Sequence, residues 1–140
     1  MSKTICHKLI LQKDYIPMVG KRSIVIKAFN HCKSSVKHFG GSEEDYHNIH
    51  AWFDESKGHY ADIRHRALRH HTQGILECEK VFGIYITNSD NKKVPVKSIA
   101  EQHIREDLGF IPSIQDWFKE IRPKSWMAST RKNIKKMNLM

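Results

Sequence analysis

Residues 42–58, SEEDYHNIHAWFDESKG, and residues 61–83, ADIRHRALRHHTQGILECEKVFG, carry the pattern from which the fold class is read. Ser42 ahead of Glu43, Glu44 and Asp45 has the form of a helix N-cap with acids in the first turn, where the helix dipole favours negative charge. This helix is predicted to reach about Ser56, with Gly58 as the break. In the second stretch Ala61, Leu68, Ile75 and Phe82, together with His71 and Cys78, share one face at 100° per residue. One long helix from Ala61 to Phe82, stopped by Gly83, is therefore expected.

The flanks extend the helical reading. Ser23 to Phe39 reads as a helix closed by Gly40-Gly41, because glycine takes the left-handed conformation that ends helices at little cost. Ile84-Tyr-Ile-Thr87, the polar turn Asn88-Ser-Asp-Asn91 and Val94-Pro-Val96 read as a small hairpin or extended pair, with Pro95 marking an edge. Ser98 with Glu101 suggests a capping box opening a helix over 99–108 ahead of Gly109, and Ser113 with Asp116 opens another over 114–121. The expected architecture is mainly α, a helical domain with one hairpin around 84–96. It parses as a lead segment 1–22, a single domain 23–127 and a basic tail 128–140, the tail possessing a weak helical pattern from Ser129.

At 140 residues the chain is long enough to bury one core without a disulfide or a structural metal. No run approaches the 18 or so apolar residues of a membrane helix, and Met1-Ser-Lys-Thr lacks the apolar segment of a signal peptide, so a cytoplasmic protein of a bacterial or phage-infected cell with no membrane partner is expected. Cys6, Cys32 and Cys78 are isolated and odd in number, which argues for reduced thiols in packing roles. The net charge of +9 is uneven. Residues 1–41 hold eight Lys/Arg and one acid, residues 42–109 nine against twelve, and residues 110–140 seven against two. Basic ends of this kind attract polyanions, so nucleic acid or a nucleotide is a candidate partner; the oligomeric state is left open.

Seven of the ten histidines lie between residues 42 and 109 with most of the acids. His47, His50 and Asp54 follow at spacings of three and four, on adjacent turns of one helix face, and His50 with Asp54 at i,i+4 can chelate one ion. Asp62 and His65 form an i,i+3 pair. His70-His71 follow, with His71 in the middle of the apolar stripe, where an imidazole must be hydrogen-bonded or metal-bound. Glu101, His103, Glu106 and Asp107 offer a later group, and of His31 and His38, seven apart, His31 is the better placed. The candidate ligands are His50, Asp54, His70, His71 and His103, with Asp62 or Glu101 as base. Lys57, Arg64, Arg66 and Arg69 are candidate phosphate contacts, an equally good description of a solvated helix face. Neutral imidazoles with a few carboxylates suit Zn, Mn, Fe or Ni, and such an ion lowers the pKa of a bound water enough for hydrolysis near neutral pH. Walker, GxGxxG, HExxH and GxSxG motifs are absent from the sequence.

The ordered series His50-Ala-Trp-Phe-Asp-Glu-Ser-Lys57, Asp62-Ile-Arg-His-Arg-Ala-Leu-Arg-His-His71, Phe82-Gly83, Ile86-Thr-Asn-Ser-Asp90, Val94-Pro-Val96, Glu101-Gln-His103, Glu106-Asp-Leu-Gly109, Ile111-Pro-Ser113, Asp116-Trp117 and Trp126-Met127 resembles a family of small phage and bacterial proteins of unknown function. The likeness runs from about Asn30 to Met127. A looser similarity is to helical phosphohydrolases of the HD type, which set His and Asp ligands on neighbouring helices; this sequence lacks the His-Asp dipeptide and has His70-His71 in its place.

Two readings follow from the residues. One is a metal-dependent hydrolase acting on a nucleotide, nucleic acid or other phosphate-containing substrate. The other is a non-catalytic module of phage or mobile-element origin that binds nucleic acid or an acidic protein through its basic ends. In that module the histidines form a buried hydrogen-bonded network, and Trp117 and Trp126, beside Lys119, Arg122 and Lys124, provide a stacking surface.

Overall fold

A computed structural model describes residues 21–127 of the chain, and the fold it shows is mainly helical with one two-stranded antiparallel sheet. The elements are α1 (Lys21–Phe39), α2 (Glu43–Asp54), 3-10 turns at Glu55–Gly58 and Ile63–Leu68, α3 (Thr72–Phe82), β1 (Tyr85–Thr87), β2 (Lys93–Pro95), α4 (Val96–Leu108), α5 (Ile114–Phe118) and a last 3-10 turn, Ser125–Met127. The lead segment through residue 20 and the tail 128–140 lie outside the described residues. Among the described residues no helix is long and apolar enough to cross a membrane.

Helix α2 begins as its sequence predicts: the Asp45 carboxylate turns back to accept the Ser42 amide at 2.7 Å. The same carboxylate accepts the Ser89 amide at 2.9 Å, so one side chain both caps α2 and pins the hairpin turn to it. Tyr46 donates its hydroxyl to the Gly40 carbonyl at 2.7 Å, fixing the α1–α2 corner, where Gly40 and Gly41 take φ of +80° and +75°. The hairpin pairs Ile86 with Val94, both pointing into the core.

The buried stripes of α2 and α4 share one grammar. In α2 the inward positions are Tyr46, Ile49, His50, Phe53 and Asp54; in α4 they are Val96, Ile99, Ala100, His103 and Ile104, with Asp107 one turn on. Both are the i, i+3, i+4, i+7 pattern of a helix with one face in the core. Each stripe is apolar toward its N-terminal end and carries a His-x-x-x-Asp turn toward its C-terminal end. The core is therefore divided. Tyr46, Ile49, Phe53, Ile99 and Ile104 pack with Ile75, Cys78, Phe82, Ile86 and Val94 in an apolar half, and the imidazoles and carboxylates fill the other.

Three boundaries differ from the sequence reading. The long helix over 61–82 is two pieces, a 3-10 turn Ile63–Leu68 and the helix α3 from Thr72. Ala61 is exposed and Leu68 stands 57% exposed, so the expected stripe is buried only from His71 on, at His71, Ile75, Cys78 and Phe82. The break is built locally: the Gly74 amide donates to His71 Nδ1 at 3.0 Å, making His71 the N-cap of α3. Helix α4 starts at Val96 with Pro95 at its N-cap, directly off β2, and not at Ser98 with a Glu101 capping box. Helix α5 ends at Phe118, short of residue 121.

Gly74 permits the tight entry to α3. A Cβ there would lie 1.8 Å from the Arg69 carbonyl oxygen, a backbone atom that cannot swing away. Gly74→Ala is expected to cost about 3 kcal/mol or more, read as a lower urea midpoint. Gly109→Ala, where a Cβ meets nothing within 4 Å and only the φ of +81° resists, is expected to cost about 1–2 kcal/mol.

Candidate metal centre

The polar half of the core gathers Asp54 from the end of α2, His70 from the segment before α3, and His103 and Asp107 from α4. One ligand atom from each of these four lies within 4.8 Å of the others. His70 Nε2 is 3.1 Å from Asp107 Oδ2 and 3.2 Å from His103 Nε2; His103 Nε2 is 3.6 Å from Asp107 Oδ2 and 4.0 Å from Asp54 Oδ1. Asp54, His70 and His103 are fully buried.

Two features show that protein groups alone do not satisfy this cluster. Neither oxygen of Asp54 accepts a hydrogen bond of acceptable geometry, although the Lys57 ammonium is 3.0 Å from Oδ1. A buried carboxylate without hydrogen bonds is costly, commonly by several kcal/mol. Asp54 and Asp107 also sit in the last turns of their helices, where the dipole disfavours negative charge. Two imidazoles and two carboxylates converging on one volume are a donor set for a divalent transition metal, and the residues fit such an ion.

The protonation pattern matches what an ion requires. Burial pushes His103 well below the ordinary histidine range, reinforced by the nearby imidazoles of His50 and His31, and burial likewise lowers His70. Burial alone would raise Asp107, but the contacts of His31 and His70, then the charges of His103 and Arg66, outweigh it and hold Asp107 far below the usual carboxylate range. The cluster presents neutral imidazoles and ionised carboxylate.

A chain of contacts orients His103. Its Nδ1 is 3.0 Å from His50 Nδ1, and His50 Nε2 is 2.8 Å from Ser35 Oγ, which donates to Gln102 Oε1 at 3.2 Å. Because Ser35 donates onward, its oxygen accepts the proton of His50 Nε2; His50 Nδ1 then accepts from His103 Nδ1–H, and the His103 Nε2 lone pair is left facing the cluster. On the other flank His31 Nδ1 lies 2.5 Å from Glu106 Oε2 and His31 Nε2 lies 3.6 Å from Asp107 Oδ1. Burial opposes charge on His31, but Asp107 and Glu106 outweigh it and raise its pKa, and the ring braces Asp107. The Trp117 indole donates to the His70 carbonyl at 3.0 Å and fixes the His70 backbone.

Of the ligands expected from sequence, Asp54, His70 and His103 meet in the cluster. His50 stands one ring away, with both nitrogens engaged as above. His71 is directed elsewhere: Nδ1 accepts the Gly74 amide and Nε2 donates to the Leu68 carbonyl at 3.2 Å, so both nitrogens are occupied by its capping role. Asp107 is a member that sequence reasoning placed only in a general later group. Its signal was the spacing His103-x-x-x-Asp107, the same as His50-x-x-x-Asp54. Asp62 is exposed and held by Arg64 at 2.6 Å, and Glu101 faces Lys97 at 3.8 Å on the outer side of α4. Neither is a member of the cluster. Among the basic residues, Lys57 contacts Asp54 and Arg66 Nη2 lies 3.2 Å from Asp107 Oδ1, whereas Arg64 pairs with Asp62. Arg69 pairs with Glu55 at 2.8 Å, donates to the Trp52 carbonyl and stacks on the Trp52 ring.

Fold and site together define a small helical domain with a buried His/Asp cluster able to hold a metal ion. The chain belongs to the family described as a domain of unknown function, DUF6915, which matches residues 26–127. Comparison with curated proteins and with solved structures returned no match.

His50→Phe, which removes the acceptor that orients His103, is expected to weaken metal binding roughly 10–100-fold in competition with a chromophoric chelator. His71→Ala is expected to cost about 1 kcal/mol of stability as a lost cap and to leave metal stoichiometry unchanged.

Proposed function

We propose that the protein is a divalent-metal-dependent hydrolase of phosphate-containing substrates, with the ion held by Asp54, His70, His103 and Asp107. The observation that carries this reading is the pair of buried Asp54 oxygens that accept no hydrogen bond, set among two imidazoles and a second carboxylate. When bound, the ion supplies Lewis acidity and lowers the pKa of a coordinated water toward about 7.

The chain's own residues set the direction of approach. The side chains of Asp54, His70 and His103 are shut off from solvent, whereas those of Lys57 and Arg66 each keep 15% exposure and that of Asp107 keeps 9%. The accessible edge of the cluster is therefore cationic. Arg66 Nη2 stays on Asp107, and the exposed part of its guanidinium is the contact offered to a phosphate oxygen. Lys57, paired with Asp54 at 3.0 Å, adds a point charge beside it. Asp62 and Glu101 stand outside the cluster and are not placed to act as a base there.

A second reading, binding of single-stranded nucleic acid, is favoured by one surface: Trp126 is 79% exposed and Phe118 58% in a segment that also holds Lys119, Arg122 and Lys124. Turnover separates the two. Protein loaded with Mn, Fe, Ni or Zn is expected to release p-nitrophenol from an aryl phosphate mono- or diester. Asp54→Asn should lose about 100-fold or more of that rate, and Arg66→Ala should chiefly raise KM. If the metal-loaded protein leaves aryl esters, nucleotides and oligonucleotides intact, while Trp126→Ala abolishes salt-sensitive oligonucleotide binding, the binding module replaces the hydrolase.

A further inference from the structure

We propose that the groove lined by Leu108, Phe110, Pro112, Trp117 and Glu120 is the base subsite for a guanine nucleotide, whose phosphate lies at the cationic edge of the metal cluster. This rests on the phosphohydrolase reading above and deepens it by naming the substrate class.

The groove borders the cluster at three points. Leu108 ends α4, next to Asp107. The Pro112 carbonyl accepts the Thr72 amide at 2.9 Å, which ties the loop after α4 to the start of α3, two residues from His70. Trp117 on α5 donates its indole N–H to the His70 carbonyl at 3.0 Å. Arg66 reaches the same wall, with Nη1 donating to the Asp107 carbonyl at 3.5 Å and Nη2 lying 3.2 Å from the Asp107 carboxylate. The guanidinium at the edge of the cluster therefore also stands at the peptide that joins Asp107 to Leu108.

The volume of the groove is about 220 Å³, below the roughly 300–1,000 Å³ of sites that enclose a whole drug-sized ligand. It has room for one ring system, with the rest of the molecule outside. Its walls are apolar: Leu108 and Trp117 are half-buried, Pro112 is buried, and Phe110 is 58% exposed. The indole N–H is committed to His70, so the Trp117 ring is fixed in orientation and contributes apolar surface. Phe110 follows the glycine that ends α4 and offers an uncovered ring, the kind of surface on which bases stack.

An apolar slot accepts many flat rings, and its rim selects among them. Asp116 is engaged, accepting the Ser113 amide at 2.8 Å and lying 3.6 Å from Lys119 Nζ. Glu120 is exposed, and its carboxylate has no ion pair or hydrogen bond among the described residues. A carboxylate accepts two parallel N–H donors. Guanine presents two on one edge, its ring N–H and its exocyclic amine, whereas uracil presents one. The charges suit the two ends of a nucleotide: an acid at the rim for the base edge, and Arg66 and Lys57 at the cluster for the phosphate.

The test separates the contribution of the base from that of the phosphate. Binding to the Mn-loaded full chain is measured for non-hydrolysable phosphonate analogues of guanosine monophosphate, uridine monophosphate and ribose phosphate, the last of which lacks a base. The guanosine analogue is expected to bind about 10–100-fold more tightly than the ribose analogue. Phe110→Ala should remove most of that difference and leave the ribose analogue's affinity unchanged. Glu120→Gln should bring the guanosine analogue to the level of the uridine one. Both substituted side chains are exposed, and an unaltered melting temperature confirms that the variants fold. Equal binding of the three analogues to the wild type overturns the base subsite, whether or not aryl esters are cleaved. A guanosine preference lost in Phe110→Ala, in a protein that cleaves no ester, keeps the subsite and overturns the hydrolase.

Discussion

Two carboxylates buried at the C-terminal ends of helices are the constraint around which the rest of this protein is arranged. Asp54 and Asp107 lie where the helix dipole disfavours them, Asp54 fully buried and Asp107 largely so, and such burial costs several kcal/mol unless compensated. Asp107 is answered by His31, His70 and Arg66. Asp54 has Lys57 beside one oxygen and no hydrogen bond to either. A domain of this size does not need such an arrangement to fold, since its apolar half already packs α2, α3, α4 and the hairpin together. A bound cation makes the arrangement coherent, because it neutralises the carboxylates and gives the buried Asp54 oxygens a partner.

The architecture serves that convergence. Helices α2 and α4 each bring an apolar turn and then a His-x-x-x-Asp turn to the same side, so burying the first half of each stripe places the second half. The stacked ring of His103 on Phe53, 4.9 Å between centroids, is where the two halves of the core meet. The segment between α2 and α3 supplies the remaining imidazoles because it is not a continuous helix. Its 3-10 turn and the His71 cap turn His65 and His70 inward on consecutive short elements, whereas a straight helix would place residues 65 and 70 on different faces, 140° apart.

Much of this was legible in the residues. The spacing of His50 and Asp54 placed both on one inward face, the glycines at 40–41 and 83 ended helices as expected, and the His/Asp concentration between 42 and 109 pointed to the cluster. What was not legible followed from local chemistry that periodicity does not encode. Ala61, Leu68, Ile75 and Phe82 repeat every seven residues, yet a histidine cap and a glycine pressed against the Arg69 carbonyl interrupt the helix between the second and third. That break reassigned His71 from candidate ligand to cap and turned His65 from Asp62's side chain toward Asp54. Asp107 was one of four residues, with Glu101, His103 and Glu106, in a later group whose members the spacing did not separate.

The central claim is that the buried cluster exists to hold a metal. Elemental analysis of untagged protein purified without chelator, paired with thermal unfolding before and after metal removal, tests it most directly. The account predicts about one equivalent of a first-row divalent ion per chain and a melting temperature that falls on removal and recovers on its return, as binding to the native state alone requires. A folded, metal-free protein whose unfolding is indifferent to added Mn, Fe, Ni and Zn would contradict it.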